Sequence, residues 1–76
     1  MQGFLCRDNG GRWCVVEANG RQQDLDAGDV VRVHIPKKRP PGYEWVDTRI
    51  EHDGHDYYAI HPRVSLFEGM EAKTVG

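Results

Sequence analysis

The chain has 76 residues, enough for one domain with a small core and a surface that carries the function. Ten Lys and Arg against twelve Asp and Glu give a formal net charge of −2, which argues against a general nucleic-acid coat or a membrane-surface protein. No apolar run approaches the roughly 20 residues that span a bilayer, and residues 1–6 lack the pattern of a secretion signal. We therefore expect one cytoplasmic domain over residues 1–76, with no membrane partner.

Short alternating segments separated by glycine-containing turns predict strands and no long helix. In chain order, the strands are expected near residues 2–7, 12–17, 21–25, 29–35, 43–52, 56–60 and 70–75. Tight turns are expected at Asn9-Gly10, Asn19-Gly20, Ala27-Gly28 and Asp53-Gly54. At most one 3₁₀ turn is expected, over residues 61–66. The pattern predicts an all-β fold, a small SH3-like barrel of five to seven short, mostly antiparallel strands.

Two cysteines flank the first turn. A three-residue loop at Asn9-Gly10-Gly11 would place Cys6 and Cys14 directly opposite each other, with Cβ atoms about 4.5–5.5 Å apart. That separation allows a bridge in an oxidising compartment, whereas packed and reduced thiols are expected in the cytoplasm. The sequence leaves both alternatives open.

The strand at 43–52 sets the phase of the predicted sheet. A two-residue turn at Asp53-Gly54 would pair His52 with His55, Ile50 with Tyr57, Thr48 with Ala59 and Val46 with His61. These pairs share one apolar face, which we expect to point inward. The other predicted core residues are Phe4, Val15, Leu25, Val31, Val33, Ile35, Leu66 and Met70.

The opposite face of the same hairpin is too aromatic for an ordinary wet surface and too charged for a second core. We interpret it as a partner-binding surface made of Trp45, Asp47, Arg49, Tyr58 and Ile60. A stiff, proline-rich loop at 36–42 adjoins it, and the residues of this basic loop region are Arg32, Lys37, Lys38, Arg39 and Tyr43. The alternative is that these charges only keep a small domain soluble.

Catalytic and metal motifs do not rise above background. His52, His55 and His61 lie near one another in the predicted hairpin, but their spacing matches no zinc pattern. Asp53 is expected in an exposed turn, with no apolar pocket to perturb its pKa. We therefore expect a non-enzymatic protein with no catalytic residues, no metal site and no cofactor.

One run of residues resembles a known family. The run Trp45-Val-Asp-Thr-Arg-Ile-Glu-His-Asp-Gly-His-Asp-Tyr-Tyr58, with Leu25-x-x-Gly28-Asp29 before it and Leu66-x-x-Gly69 after it, is similar to a domain of unknown function in small bacterial proteins often carried on conjugative or other mobile elements. The similarity spans roughly residues 25–75, and the loop at 36–42 is longer and more basic than the family pattern. The resemblance implies an accessory protein of DNA transfer, regulation or host defence, and it supplies no established activity or binding residues.

Two functions fit these features. As a protein-binding adaptor or inhibitor, the domain would use the outward aromatic residues as buried anchors inside a charged rim. As a nucleic-acid-binding small barrel, it would neutralise phosphates with the basic loop and stack an unpaired base on Tyr43, Trp45 or Tyr58. The acidic side chains of the hairpin would repel phosphates, so the sequence favours a protein partner, with nucleic acid as the alternative. The oligomeric state stays undetermined.

Overall fold

The computed structural model describes residues 1–36 and 42–75, and these two ranges hold seven β-strands. The strands are β1 (Gln2–Arg7), β2 (Trp13–Val16), β3 (Gln22–Asp24), β4 (Val30–Pro36), β5 (Tyr43–His52), β6 (Tyr57–Ile60) and β7 (Glu71–Thr74). Each predicted strand is present with its ends shifted by no more than one residue. The all-β prediction is therefore confirmed, because alternation and turn glycines are both local signals.

All the strands join one antiparallel sheet in the order β3-β2-β1-β7-β4-β5-β6. The last strand in the chain thus lies at the centre of the sheet, where β7 pairs with both β1 and β4. Ala72 of β7 is fully buried between Gly3 and Val33. Small side chains here let the middle of the sheet curl closely around its core.

The sheet is open, so the predicted SH3-like barrel is not confirmed. Among the described residues, no backbone ladder joins β3 to β6, the two strands at the ends of the sheet. Side-chain contacts instead join the β1–β2 hairpin to β6 and the loop before it: Arg7 forms an ion pair with Asp56, and the Arg12 guanidinium lies 6.0 Å from the centre of the Tyr57 ring. The sheet thus curls enough to bring the β1–β2 hairpin close to β6 without closing the hydrogen-bonded ring.

Local groups cover the free edge of β6. The Val64 N–H donates to the Ala59 carbonyl at 3.3 Å, and the Tyr57 N–H donates to Asp56 Oδ1 at 2.8 Å. Backbone groups of an edge strand that already have partners are poor templates for a further strand. This local capping is a physical reason why β6 does not extend the ladder.

Residues 61–63 form a plain turn beside β6, so the limit of at most one 3₁₀ turn over 61–66 holds and none forms in this described segment. The Thr48 side chain anchors this turn by hydrogen bonding. It is 2% exposed, and its hydroxyl lies 2.7 Å from the Pro62 carbonyl and 3.2 Å from the Ile60 carbonyl. The hydroxyl has one proton to donate, and the Pro62 carbonyl is its nearer acceptor. This contact anchors the chain directly after β6.

Replacing Thr48 by valine is expected to lower the free energy of unfolding by about 1–2 kcal/mol, because the Pro62 carbonyl loses its hydroxyl donor while the side-chain shape is kept. Urea unfolding followed by tryptophan fluorescence measures the change. A Thr48→Val protein as stable as the wild type would show that the hydroxyl does not hold the turn.

One face of the curled sheet forms the core. Its buried members are Leu5, Trp13, Val15, Leu25, Val31, Val33, Ile50, Ala59, Met70 and Ala72. Most of the predicted core is confirmed, but the assignment of Phe4 is wrong because its side chain is 52% exposed. Alternation along β1 points Leu5 inward and Phe4 outward. Trp13, which carried no core prediction, is 5% exposed and closes one end of the core.

The predicted register of β5 and β6 is wrong by two residues. Ile50 lies opposite Ala59 and His52 lies opposite Tyr57, since the connection has four residues instead of two. Asp53 shapes this longer loop, where its Oδ1 accepts from the N–H groups of His55 and Asp56 at 2.8 Å. A slip of two residues keeps every side chain on its face.

The register slip leaves the prediction of which β5 residues point inward unchanged, and that prediction is confirmed for Thr48 and Ile50. Thr48 and Ile50 are buried, whereas Asp47 and Arg49 are exposed on the opposite side. The wrong pairing of His61 with Val46 follows from the register, and His61 is exposed in the turn after β6. The outward face of β4, β5 and β6 is called the outer face below.

Candidate functional site

Three rings lie in a row at one end of the outer face. His34 of β4 lies opposite Trp45 of β5, and their ring centres are 4.5 Å apart with an angle of 19° between the planes. The Tyr43 ring lies 4.9 Å from the His34 ring, tilted by 32°. These residues meet because His34, Tyr43 and Trp45 occupy the outward positions of two paired strands.

Charged side chains from β7 brace this row. The Lys73 ammonium lies 4.3 Å from the centre of the Trp45 ring, and His34 Nδ1 lies 3.1 Å from Glu71 Oε2. Trp45 is therefore half-buried by its own neighbours, whereas the Tyr43 side chain is 59% exposed. We call Tyr43, His34, Trp45, Glu71 and Lys73 the aromatic cluster. Tyr43 is the exposed ring of this cluster, and contacts among the other side chains hold His34 and Trp45 in place.

An ion pair lies next to the aromatic cluster. Arg32 donates to both carboxylate oxygens of Asp47, from Nε at 2.6 Å and from a terminal nitrogen at 3.2 Å. This bidentate contact lowers the pKa of Asp47 and raises the pKa of Arg32. The pair is solvent-exposed, so it orients the two side chains more than it stabilises the fold.

The Arg32–Asp47 pair predicts how the Asp47 carboxyl group titrates. Its lowered pKa means that the contribution of Asp47 to stability is present above the carboxyl's ordinary pKa and is lost as pH falls through the lowered value. In an Arg32→Gln variant, we expect the Asp47 pKa to rise toward its ordinary value. Carboxyl chemical shifts recorded by NMR across an acid titration measure this.

Asp53 is the matched control for that titration. Its pKa is lowered mainly by hydrogen bonds from the backbone N–H groups of Asp56 and His55, with no part for Arg32. The Asp53 pKa should therefore stay unchanged in Arg32→Gln. An Asp47 pKa equal in both proteins would contradict the bidentate contact. The shift of the Asp53 pKa thus comes mainly from backbone donors in an exposed loop.

The remaining predicted partner-binding residues lie further along the outer face. Arg49 lies opposite Ile60, and Tyr58 lies opposite Glu51. Arg49 Nε is 3.3 Å from Glu51 Oε1, so this part also alternates charged and apolar groups. All five predicted residues share one face. Trp45 and Arg49 are about 13 Å apart along β5, and Asp47 lies between them.

Shallow concavities border the outer face at Tyr58. One, of about 210 Å³, lies between the end of the β1–β2 hairpin and the segment after β6, with Trp13, Arg63 and Ser65 in its lining. The other, of about 440 Å³, is lined by Tyr58, Ile60 and Arg63 together with acidic side chains. Both are open at the surface and continuous with the predicted partner-binding residues.

The structure locates only part of the basic loop region. Arg32 and Tyr43 lie on the outer face as described, while Lys37, Lys38 and Arg39 lie outside the described residues. Sequence reasoning missed His34, Glu71 and Lys73. Alternation along β4 put His34 on the polar face, but nothing local indicates that β7 lies beside β4.

Histidines and carboxylates show no metal geometry within residues 1–36 and 42–75. Across these ranges, no group of three or more His, Cys, Asp or Glu side chains could hold a metal ion. The same part of the chain contains no helix of the length and apolar character needed to cross a bilayer.

Fold and site together define a small all-β domain with a braced aromatic cluster on its outer face. Residues 3–74 match the family model of DUF5348, a domain of unknown function, so the chain belongs to this family. The match covers almost the whole chain, and it confirms the resemblance to a domain of unknown function. No curated protein and no solved structure matches the chain.

Proposed function

We propose that this domain is a non-enzymatic protein-binding module, an adaptor or inhibitor, whose contact surface is the outer face of β4, β5 and β6. The observation that supports it best is the Tyr43 side chain, 59% exposed beside the stacked His34 and Trp45. Aromatic side chains supply much of the binding energy of protein interfaces when a partner removes them from water. Tyr43 suits that role because its ring is exposed, whereas His34 and Trp45 already pack against each other and against side chains of β7.

The charged side chains around the aromatic cluster fit the polar rim that surrounds the apolar centre of a protein interface. The Arg32–Asp47 and Arg49–Glu51 pairs carry both signs within the same face. Paired charges of mixed sign favour a partner of matching pattern over a uniformly charged polymer. The strands also fix these side chains before binding, which reduces the ordering entropy lost when a complex forms.

The biological setting of the proposal rests on the family resemblance. A small accessory protein of a bacterial mobile element, acting in the cytoplasm on a host protein, would need such a compact binding face and no reaction chemistry. In this proposal, the curled sheet serves as the scaffold that an SH3-like barrel would provide.

Tyr43→Ala is the variant that tests the proposal. Immobilised wild-type protein should capture a defined partner from a host lysate, and mass spectrometry should show its recovery falling by at least about tenfold in Tyr43→Ala, the loss expected for one aromatic anchor. Phe67→Ala is the matched control, because Phe67 is 53% exposed and lies outside the strands. Equal recovery in wild type and Tyr43→Ala, or equal losses in both variants, would contradict the proposal.

A nucleic-acid-binding module is the second candidate, and one observation favours it. The exposed Tyr43 ring begins β5 directly after the basic loop, where it could stack an unpaired base. Titration with single- and double-stranded oligonucleotides at low and moderate salt tests this candidate. Binding at low salt that weakens steeply with added salt would support it, and no binding at low salt would remove it.

A further inference from the structure

Two cysteines face each other across the first hairpin. Cys6 of β1 lies directly opposite Cys14 of β2, on the outward side of both strands. Both are free thiols, and they differ in accessibility: Cys6 is exposed, whereas Cys14 is 3% exposed. The proposed function uses neither of them.

The backbone holds the two cysteines at bridging distance. Opposite residues of an antiparallel pair have Cα atoms about 4.5–5.5 Å apart, inside the range of about 4.4–6.8 Å seen in disulfides. Neighbouring pairs fix this register on both sides, Phe4 with Val16 and Arg7 with Trp13. The Cys14 thiol donates to the Cys6 carbonyl at 3.2 Å, which keeps the buried sulfur on the side of β2 that faces Cys6.

We propose that Cys6 and Cys14 form a reversible thiol–disulfide pair that exchanges with small disulfides such as oxidised glutathione. Cys6 is the attacking thiol, because it is the sulfur that a solvent molecule reaches. Cys14 is the resolving thiol, because it lies opposite Cys6 and is shielded from solvent. The proposal is independent of the protein-binding function.

The exchange runs in two steps. The Cys6 thiolate attacks one sulfur of oxidised glutathione, the glutathione S–S bond breaks, and one glutathione thiolate leaves. The Cys14 thiolate then attacks the Cys6 sulfur, and the second glutathione leaves as the Cys6–Cys14 bond forms. Two protein thiols are oxidised, one glutathione disulfide is reduced to two thiols, and the two cysteine protons pass to them through water.

Burial affects the second step. It raises the pKa of the Cys14 thiol, with the neighbouring Cys6 and Asp24 adding to the effect. A scarcer thiolate reacts more slowly at neutral pH, so the mixed disulfide on Cys6 should accumulate briefly and clear faster as pH rises.

The test treats the reduced full chain with oxidised glutathione and follows intact mass over time. The wild type should pass through a one-glutathione adduct and end two hydrogens lighter, with no adduct left. Cys14→Ser should stop at the adduct. Cys6→Ser should react more slowly than Cys14→Ser by about tenfold or more, since a buried thiol is reached only through local opening.

Two results would overturn the proposal. A persistent adduct on the wild type would mean that Cys14 cannot reach Cys6, and equal rates in Cys6→Ser and Cys14→Ser would contradict the assigned order. Because Cys14→Ser buries a hydroxyl, Cys14→Ala is the second variant, and the same stable adduct is expected there. Tryptophan fluorescence and circular dichroism confirm that each variant is folded.

Discussion

Replacing Gly3 by alanine is expected to lower the stability of the domain by about 3 kcal/mol or more, the upper end of the cost of overpacking a core. A Cβ atom built on Gly3 would lie 2.1 Å from the Val16 carbonyl oxygen and 2.6 Å from its carbon. Those atoms belong to the backbone of β2, so they move only if the ladder between β1 and β2 is disturbed. The melting temperature should fall by about 10–20 °C, following the scaling for domains of this size.

Gly10→Ala is the matched control for that prediction. A Cβ on Gly10 would meet only Asp8 Oδ1, at 3.4 Å, in an exposed turn. Thermal unfolding followed by circular dichroism should therefore show little change for Gly10→Ala. If Gly3→Ala melts within a few degrees of the wild type, the close approach of β1 to β2 is not as the structure has it.

Replacing Ile50 by alanine should cost about 2–5 kcal/mol, the usual loss for a large core side chain. Ile50 is fully buried in the core opposite Ala59, so its removal leaves a cavity that the strands cannot close. Guanidinium unfolding measures the change. The same substitution at Ile60 makes the comparison informative, because the chemistry is identical and only the face of the sheet differs.

Ile60→Ala should cost about 1 kcal/mol or less, as is typical of positions outside the core. If Ile60→Ala lost more stability than Ile50→Ala, the assignment of the inner and outer faces of the β5–β6 hairpin would be wrong. The outer face would then be the core, and the proposed contact surface would fall with it.

Local signals predicted much of this fold. Alternation fixed the strand ends and the inward positions of Val31, Val33 and Ile50, because burial on one side of a strand repeats every second residue. The residue types in the loops predicted the lengths of the connections less well. Asp53-Gly54 suggested a two-residue turn, but the Asp53 carboxylate caps two N–H groups of a longer loop, and the register moved accordingly.

Long-range pairing could not be predicted from one sequence. The insertion of β7 between β1 and β4 depends on the packing of Gly3, Ala72 and Val33, which are far apart in the chain. The composition of the aromatic cluster follows from that insertion. Trp45 and Tyr43 were predicted from their strand positions, but Lys73 reaches Trp45 and Glu71 reaches His34 only because β7 lies beside β4.

The central claim is that a protein partner contacts the outer face through the aromatic cluster. NMR titration of ¹⁵N-labelled protein with the purified captured partner tests it most directly. The largest shifts are expected at the Trp45 indole N–H and at the amides of Tyr43, His34 and Arg49, with β3 unchanged. Shifts confined to β3 or to residues 61–69, with the Trp45 indole signal unmoved, would contradict it.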